Sequence, residues 1–132
     1  MTLSGILLHI GRVALAAFFV LAAVNKIMNF DATTIGMAEV GLEPAAVLLP
    51  MVIALEGLGG LSIALAHRRA WISAAVLAVF TLATNAFFHR FWELDGLMGQ
   101  LELSLFFKNV AIAGGLVYIS AHLYRHSNRL EN

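Results

Sequence analysis

Four stretches of this chain, about 5–28, 45–66, 71–88 and 101–123, are nearly free of charge. Each runs close to the roughly 20 residues an α-helix needs to cross a bilayer. No other feature restricts the fold as much. Backbone N–H and C=O groups in hydrocarbon must find partners within their own segment, so each stretch is expected to be a helix. The short connections predict an all-α fold, an integral membrane four-helix up-down bundle forming a single transmembrane domain. Composition agrees: 61% of the 132 residues are hydrophobic and 12% are charged. Soluble domains carry about 25% charged residues. A soluble fold of this size cannot cover so much apolar surface; a bilayer can.

The same count excludes several functions. Eight basic and eight acidic residues are scattered without a basic patch, so no nucleic-acid partner is expected. The absence of cysteine removes disulfides, thiol redox chemistry and thiolate metal sites. Residues 1–4 carry no Lys or Arg, and the first stretch is read as a retained span rather than a signal peptide.

The connections differ in charge. His67-Arg68-Arg69 is a tight basic turn, and Arg125 and Arg129 follow the last span. Against these four arginines stand Lys26 and Arg90 on the other side. The positive-inside rule then places both termini and the Arg68-Arg69 turn in the cytoplasm of a bacterial inner membrane. The first connection carries Asp31, Glu39 and Glu43. Asp31 is expected to cap a short interfacial helix over about 32–40, stopped at Gly41. Phe91 and Trp92 are expected at the same interface.

A charge at the centre of a span costs roughly 3 kcal/mol. Arg12, Glu56 and Lys108 therefore stand out. Gly59 and Gly60 follow Glu56 at helical spacing, so Glu56 is expected to point into a close helix contact. On the last span Ser104, Lys108, Ala111, Gly115 and His122 are read as one face; on the third, Ala74, Ala78, Thr81, Asn85, His89 and Trp92; on the first, Arg12, Phe19 and Lys26. Depth counted at about 1.5 Å per residue puts Lys108 level with Glu56 and Arg12 within reach of it. An ion pair of Glu56 with Lys108, with Arg12, or with both is the expectation. Asn25, Lys26, Asn85 and His89 would gather above it, toward the outer mouth. Two readings stay open: an ion pair that only fixes packing, or a polar pocket that handles protons or a small lipophile with a polar head.

Other motifs read as packing or surface. Gly57, Gly59 and Gly60 lie inside a span and fit helix packing, not phosphate binding. His122 and His126 are read as membrane-surface residues. No metal is expected, because His89 has only Glu93 at helical spacing, and zinc takes three or four protein ligands.

Four segments in order carry a family resemblance: LAAVNKIMNF, ALEGLGGLSIALAHRRAW, TNAFFHRFW and FFKNVAIAGGLVYIS. Together they resemble the DoxX family of small four-helix membrane proteins, over most of the chain. Asn25, Lys26, Glu56, His89, Lys108 and Asn109 fall at the family's motif positions. The resemblance implies a link to membrane redox chemistry. Relatives include DoxD, a subunit of a thiosulfate:quinone oxidoreductase, and proteins tied to resistance against quinones and thiol stress. More distant relatives are assembly factors or cargo receptors.

Three functions compete at this point. In the first, the chain is a redox-system subunit that binds a quinone: Asn85, His89, Lys108 and Asn109 donate to the head group and Glu56 is the proton group. With no intrinsic cofactor, its electrons come from a redox partner protein, and it is not an enzyme alone. In the second, it is a non-catalytic assembly or structural protein. In the third, it exports a small lipophilic compound, which with four helices would require a homo-oligomer. Membrane lipid is a partner in all three.

Overall fold

The computed structural model describes residues 2–129. Five α-helices follow in order: α1 (Leu3–Met28), α2 (Phe30–Glu39), α3 (Ala45–Ala64), α4 (Ala70–Phe88) and α5 (Gly96–Arg129), with a 3-10 turn at Phe91–Glu93 before the last. Four of them, all but α2, are long and apolar enough to cross a membrane. α5 has 34 residues. At about 1.5 Å per residue it is roughly 51 Å long, well beyond a hydrocarbon core of about 30 Å.

Close approaches fix the register. A Cβ on Gly57 would sit 3.5 Å from Ala23, and one on Gly60 would sit 2.9 Å from the Ala16 carbonyl oxygen. Rising numbers on α3 meet falling numbers on α1, so the two are antiparallel. α4 and α5 are antiparallel by the same logic, since Trp71 meets Ser120 while His89 meets Glu102. α1 packs extensively on α3, and α4 on α5. The α3–α4 contact is smaller, and the α1–α5 contact smaller still. The bundle is thus two tight hairpins leaning on each other.

Phe19, Ile63, Leu77 and Leu116, one from each spanning helix, are fully buried in the shared core. The outer surface is Leu, Val, Ile and Phe, including Leu7, Leu21, Leu58, Val79 and Phe107. In water that surface would be a liability; in lipid it is the expected exterior. Because α1 ends at Met28, the first turns of α3 run on past it. α2 packs there, with Met37 joining Ala45 and Leu49 in a small second core. α2 starts two residues earlier than the Asp31 cap predicts. Asn29 is its N-cap, and Asp31 lies in its first turn, where an acidic side chain suits the positive end of the helix.

Candidate functional site

Glu56 lies in the middle of α3 and is 5% exposed. Its partner is Lys26. Lys26 Nζ donates to Glu56 Oε1 at 3.0 Å and lies 2.8 Å from Oε2. Both oxygens of the buried carboxylate thus face the one ammonium. The expected pairing with Lys108 or Arg12 is therefore corrected. Arg12 is half-buried and hydrogen-bonds His9 Nδ1 at 2.8 Å. Lys108 is exposed and makes no ion pair among the described residues.

Register explains both corrections. With Ala23 beside Gly57, the turn of α1 facing Glu56 is the one that holds Lys26. Arg12 is 14 residues earlier on the same helix, roughly 21 Å away along its axis. On α5 the buried face is Asn109, Ala113, Leu116, Ile119 and Leu123. Lys108 precedes Asn109 by one residue, which turns it about 100° away from that face.

A second polar group joins α4 to α5. Asn109 Nδ2 donates to Asn85 Oδ1 at 2.9 Å, and Asn85 Nδ2 donates to the Phe106 carbonyl at 3.2 Å. Farther along, His89 Nδ1 lies 2.7 Å from Glu102 Oε2. Both asparagines are buried, while His89 and Glu102 are about four-fifths covered. His89 thus meets Glu102 and not Glu93, which pairs with Arg90 at 3.1 Å. Glu102 was absent from the expected site. Its signal was available: it is the one acid in the last apolar run and sits seven residues before Asn109, on the same face.

Thr81 lies between the groups, buried, with its hydroxyl donating to the Leu77 carbonyl at 2.7 Å. Gly59 contacts Leu77, and α3 and α4 are joined by a short turn. Glu56 is then level with the turn of α4 that carries Thr81. Asn85 is one turn farther, roughly 6 Å toward the His89 end. The remaining candidates are peripheral. Asn25 is exposed, and its side-chain and main-chain oxygens accept from Asn29 Nδ2 at 3.1 and 2.9 Å. Trp92 is 58% exposed and stacks edge-on with Phe91 and Phe106.

The asparagine pair makes a graded prediction. Asn85→Leu removes both interhelical bonds and leaves Asn109 unpaired; Asn109→Leu removes only one. Interhelical hydrogen bonds in membranes contribute about 0.6 kcal/mol on average and up to about 1.7. Asn85→Leu should lower the unfolding free energy by about 1–2 kcal/mol and Asn109→Leu by about half that, measured by SDS titration in mixed micelles. Equal losses would mean that the bond to Phe106 contributes nothing.

Comparison with known proteins agrees with this architecture. A model of the DoxX family matches residues 7–90. Inner membrane protein YphA of Escherichia coli (strain K12) is 29% identical over 116 residues, covering 87% of this chain and 81% of that protein. No solved structure matches.

Proposed function

Since the chain belongs to the DoxX family and is a multi-pass inner-membrane protein, we propose that it serves as a membrane subunit of a quinone-linked redox system. The observation that carries this reading is Glu56 itself, a carboxylate 5% exposed in the middle of a spanning helix with Lys26 as its ionic partner. Intramembrane ionisable residues mark functional sites by default. A quinone-type head fits the groups nearby. Oε2 offers an acceptor to a hydroxyl, and Lys26 Nζ offers a donor to a carbonyl. When bound, such a head supplies a redox couple soluble in the bilayer. The chain's own part is to place donors and acceptors, to keep water out, and to hold a proton at Glu56. Asn85 and Asn109 lie between the Glu56 level and the His89–Glu102 end, so a head group entering from that end would pass them. Asn25 and Trp92 are exposed nearer that end, and Lys108 faces away from the pair. A partner protein supplies the electrons, and both termini face the cytoplasm.

Glu56→Gln keeps the shape and removes the charge. In native membranes, quinone-dependent turnover of the assembled system should fall at least tenfold while the amount of folded protein stays at the wild-type level. Undiminished turnover at normal abundance would sink the proposal.

One observation favours a second reading, a non-catalytic assembly protein in which Lys26–Glu56 only fixes packing. The pair sits beside the Gly57 and Gly60 contacts, where α1 and α3 approach most closely. Variants that remove both charges separate the two readings.

A further inference from the structure

Between α4 and α5, on the lipid-facing side and away from the Glu56 group, runs a groove of about 630 Å³. Its floor is small: Ala75, Ala78, Ser120 and Ala121. Ser120 is not free to bind a guest through its hydroxyl, because that hydroxyl donates to the Trp71 carbonyl at 2.8 Å. The groove is therefore apolar along its length. Trp71 and Tyr124, stacked edge-on with centroids 5.1 Å apart, form one end, and Leu82 lies at the other. Trp71 to Leu82 spans 11 residues of α4, roughly 16 Å. That is close to one leaflet of a hydrocarbon core of about 30 Å.

The aromatic end has a distinct charge. Arg68 and Arg69 stand three and two residues before Trp71; Arg125 follows Tyr124 and stands one turn beyond Ala121 on the groove side of α5. Arg125 and Arg69 are exposed. No side chain caps the N-terminus of α4, and no acid stands in its first turn. Among the described residues, every Asp and Glu lies elsewhere: on or beyond α2, at Glu56, or between Glu93 and Glu102. Among the described residues, the groove thus joins a slot the length of one acyl chain to a mouth that is aromatic, uncapped at α4 and basic. Tyr and Trp rings settle at headgroup level, and a helix N-terminus favours an anion.

We propose that this groove holds one acyl chain of an anionic phospholipid, whose phosphate sits against Arg125 and the Trp71 end of α4. Charge complementarity selects the occupant. A transmembrane helix would need no basic mouth, and a zwitterionic lipid would gain little from it.

The chain has two tryptophans. Trp92→Phe leaves Trp71 as the sole reporter. This protein is reconstituted in phosphatidylcholine vesicles doped with either phosphatidylglycerol or phosphatidylcholine brominated on its acyl chains. Half-maximal quenching of Trp71 is expected at a roughly fivefold lower mole fraction of the brominated phosphatidylglycerol, the preference one basic residue provides at a membrane surface. Arg125→Gln should abolish that preference while leaving quenching itself. Ala121→Phe should fill the groove and reduce quenching by both lipids. Equal quenching by both lipids in the Trp92→Phe protein would make the groove part of the ordinary lipid shell. Quenching by neither would mean that protein covers it. Either result overturns the proposal, and so does a preference that survives Arg125→Gln.

Discussion

Replacing Lys26 by methionine should cost the bundle about 3–5 kcal/mol, the usual loss when one partner of a buried ion pair is removed. The variant leaves Glu56 in the middle of α3 with no cation within reach. The reverse change should cost less. Lys26 lies two residues from the end of α1 with a side chain 25% exposed, so in Glu56→Met its ammonium can extend to the membrane surface. The double variant Lys26→Met/Glu56→Met removes both charges and should return to within about 1 kcal/mol of the wild type. SDS unfolding in mixed micelles orders the three. A Lys26→Met protein that unfolds with the wild type would show that the pair contributes nothing to stability. The double variant also carries the functional distinction. A folded, pair-free bundle that no longer supports quinone-dependent turnover places Glu56 in the chemistry. One that supports it fully leaves the pair as packing.

Gly60→Ala should cost at least about 1–3 kcal/mol, the range for overpacked cores. The new methyl would lie 2.9 Å from both the Ala16 carbonyl oxygen and Val20 Cγ2, and 3.2 Å from the Val20 nitrogen. Two of these are backbone atoms, which cannot rotate aside, so α1 and α3 must separate. Glu56 is one turn from Gly60, and the separation would stretch its bond to Lys26. Gly59→Ala meets only the flexible end of Leu77 and should cost less. Gly114→Ala is the control. Nothing lies within 4 Å of its added carbon, and it should gain roughly 0.5–1 kcal/mol of helix stability. If Gly60→Ala and Gly114→Ala unfold together, the close contact of α1 with α3 is not a constraint.

The four spans were legible because hydrocarbon enforces them: long apolar runs leave the backbone no alternative to a helix. The inward faces of α3 and α4 were legible too, since Glu56 with Gly59 and Gly60, and Ala74 through Asn85, are the polar or small residues of their helices at helical spacing. Pairing was not legible. Periodicity within one helix gives a face but no register against its neighbour. Here register follows from how closely Gly57 and Gly60 let α1 approach, and that brings Lys26, not Arg12, to Glu56. On α5, Lys108 and Asn109 are adjacent and both polar, and each begins a plausible stripe. The charged one looked like the partner of Glu56. The buried one is Asn109, whose amide can be satisfied by Asn85 without bringing a second unpaired charge inside.

The polar contacts also bear on how such a protein enters its membrane. Lys26 and Glu56 are 30 residues apart, and Asn85 and Asn109 are 24. Each of these two bonds therefore closes within one hairpin. When α1 leaves the ribosome, its lysine has no carboxylate yet. Near the helix end it can wait at the water boundary until α3 arrives. α3 would pay roughly 3 kcal/mol to insert its glutamate alone, and that penalty is offset when it enters beside α1. The hairpin is then the smallest piece the translocon can release with its polar side chains matched. A chain cut in the turn between Ala66 and Ala70 would yield two fragments that each carry this match already.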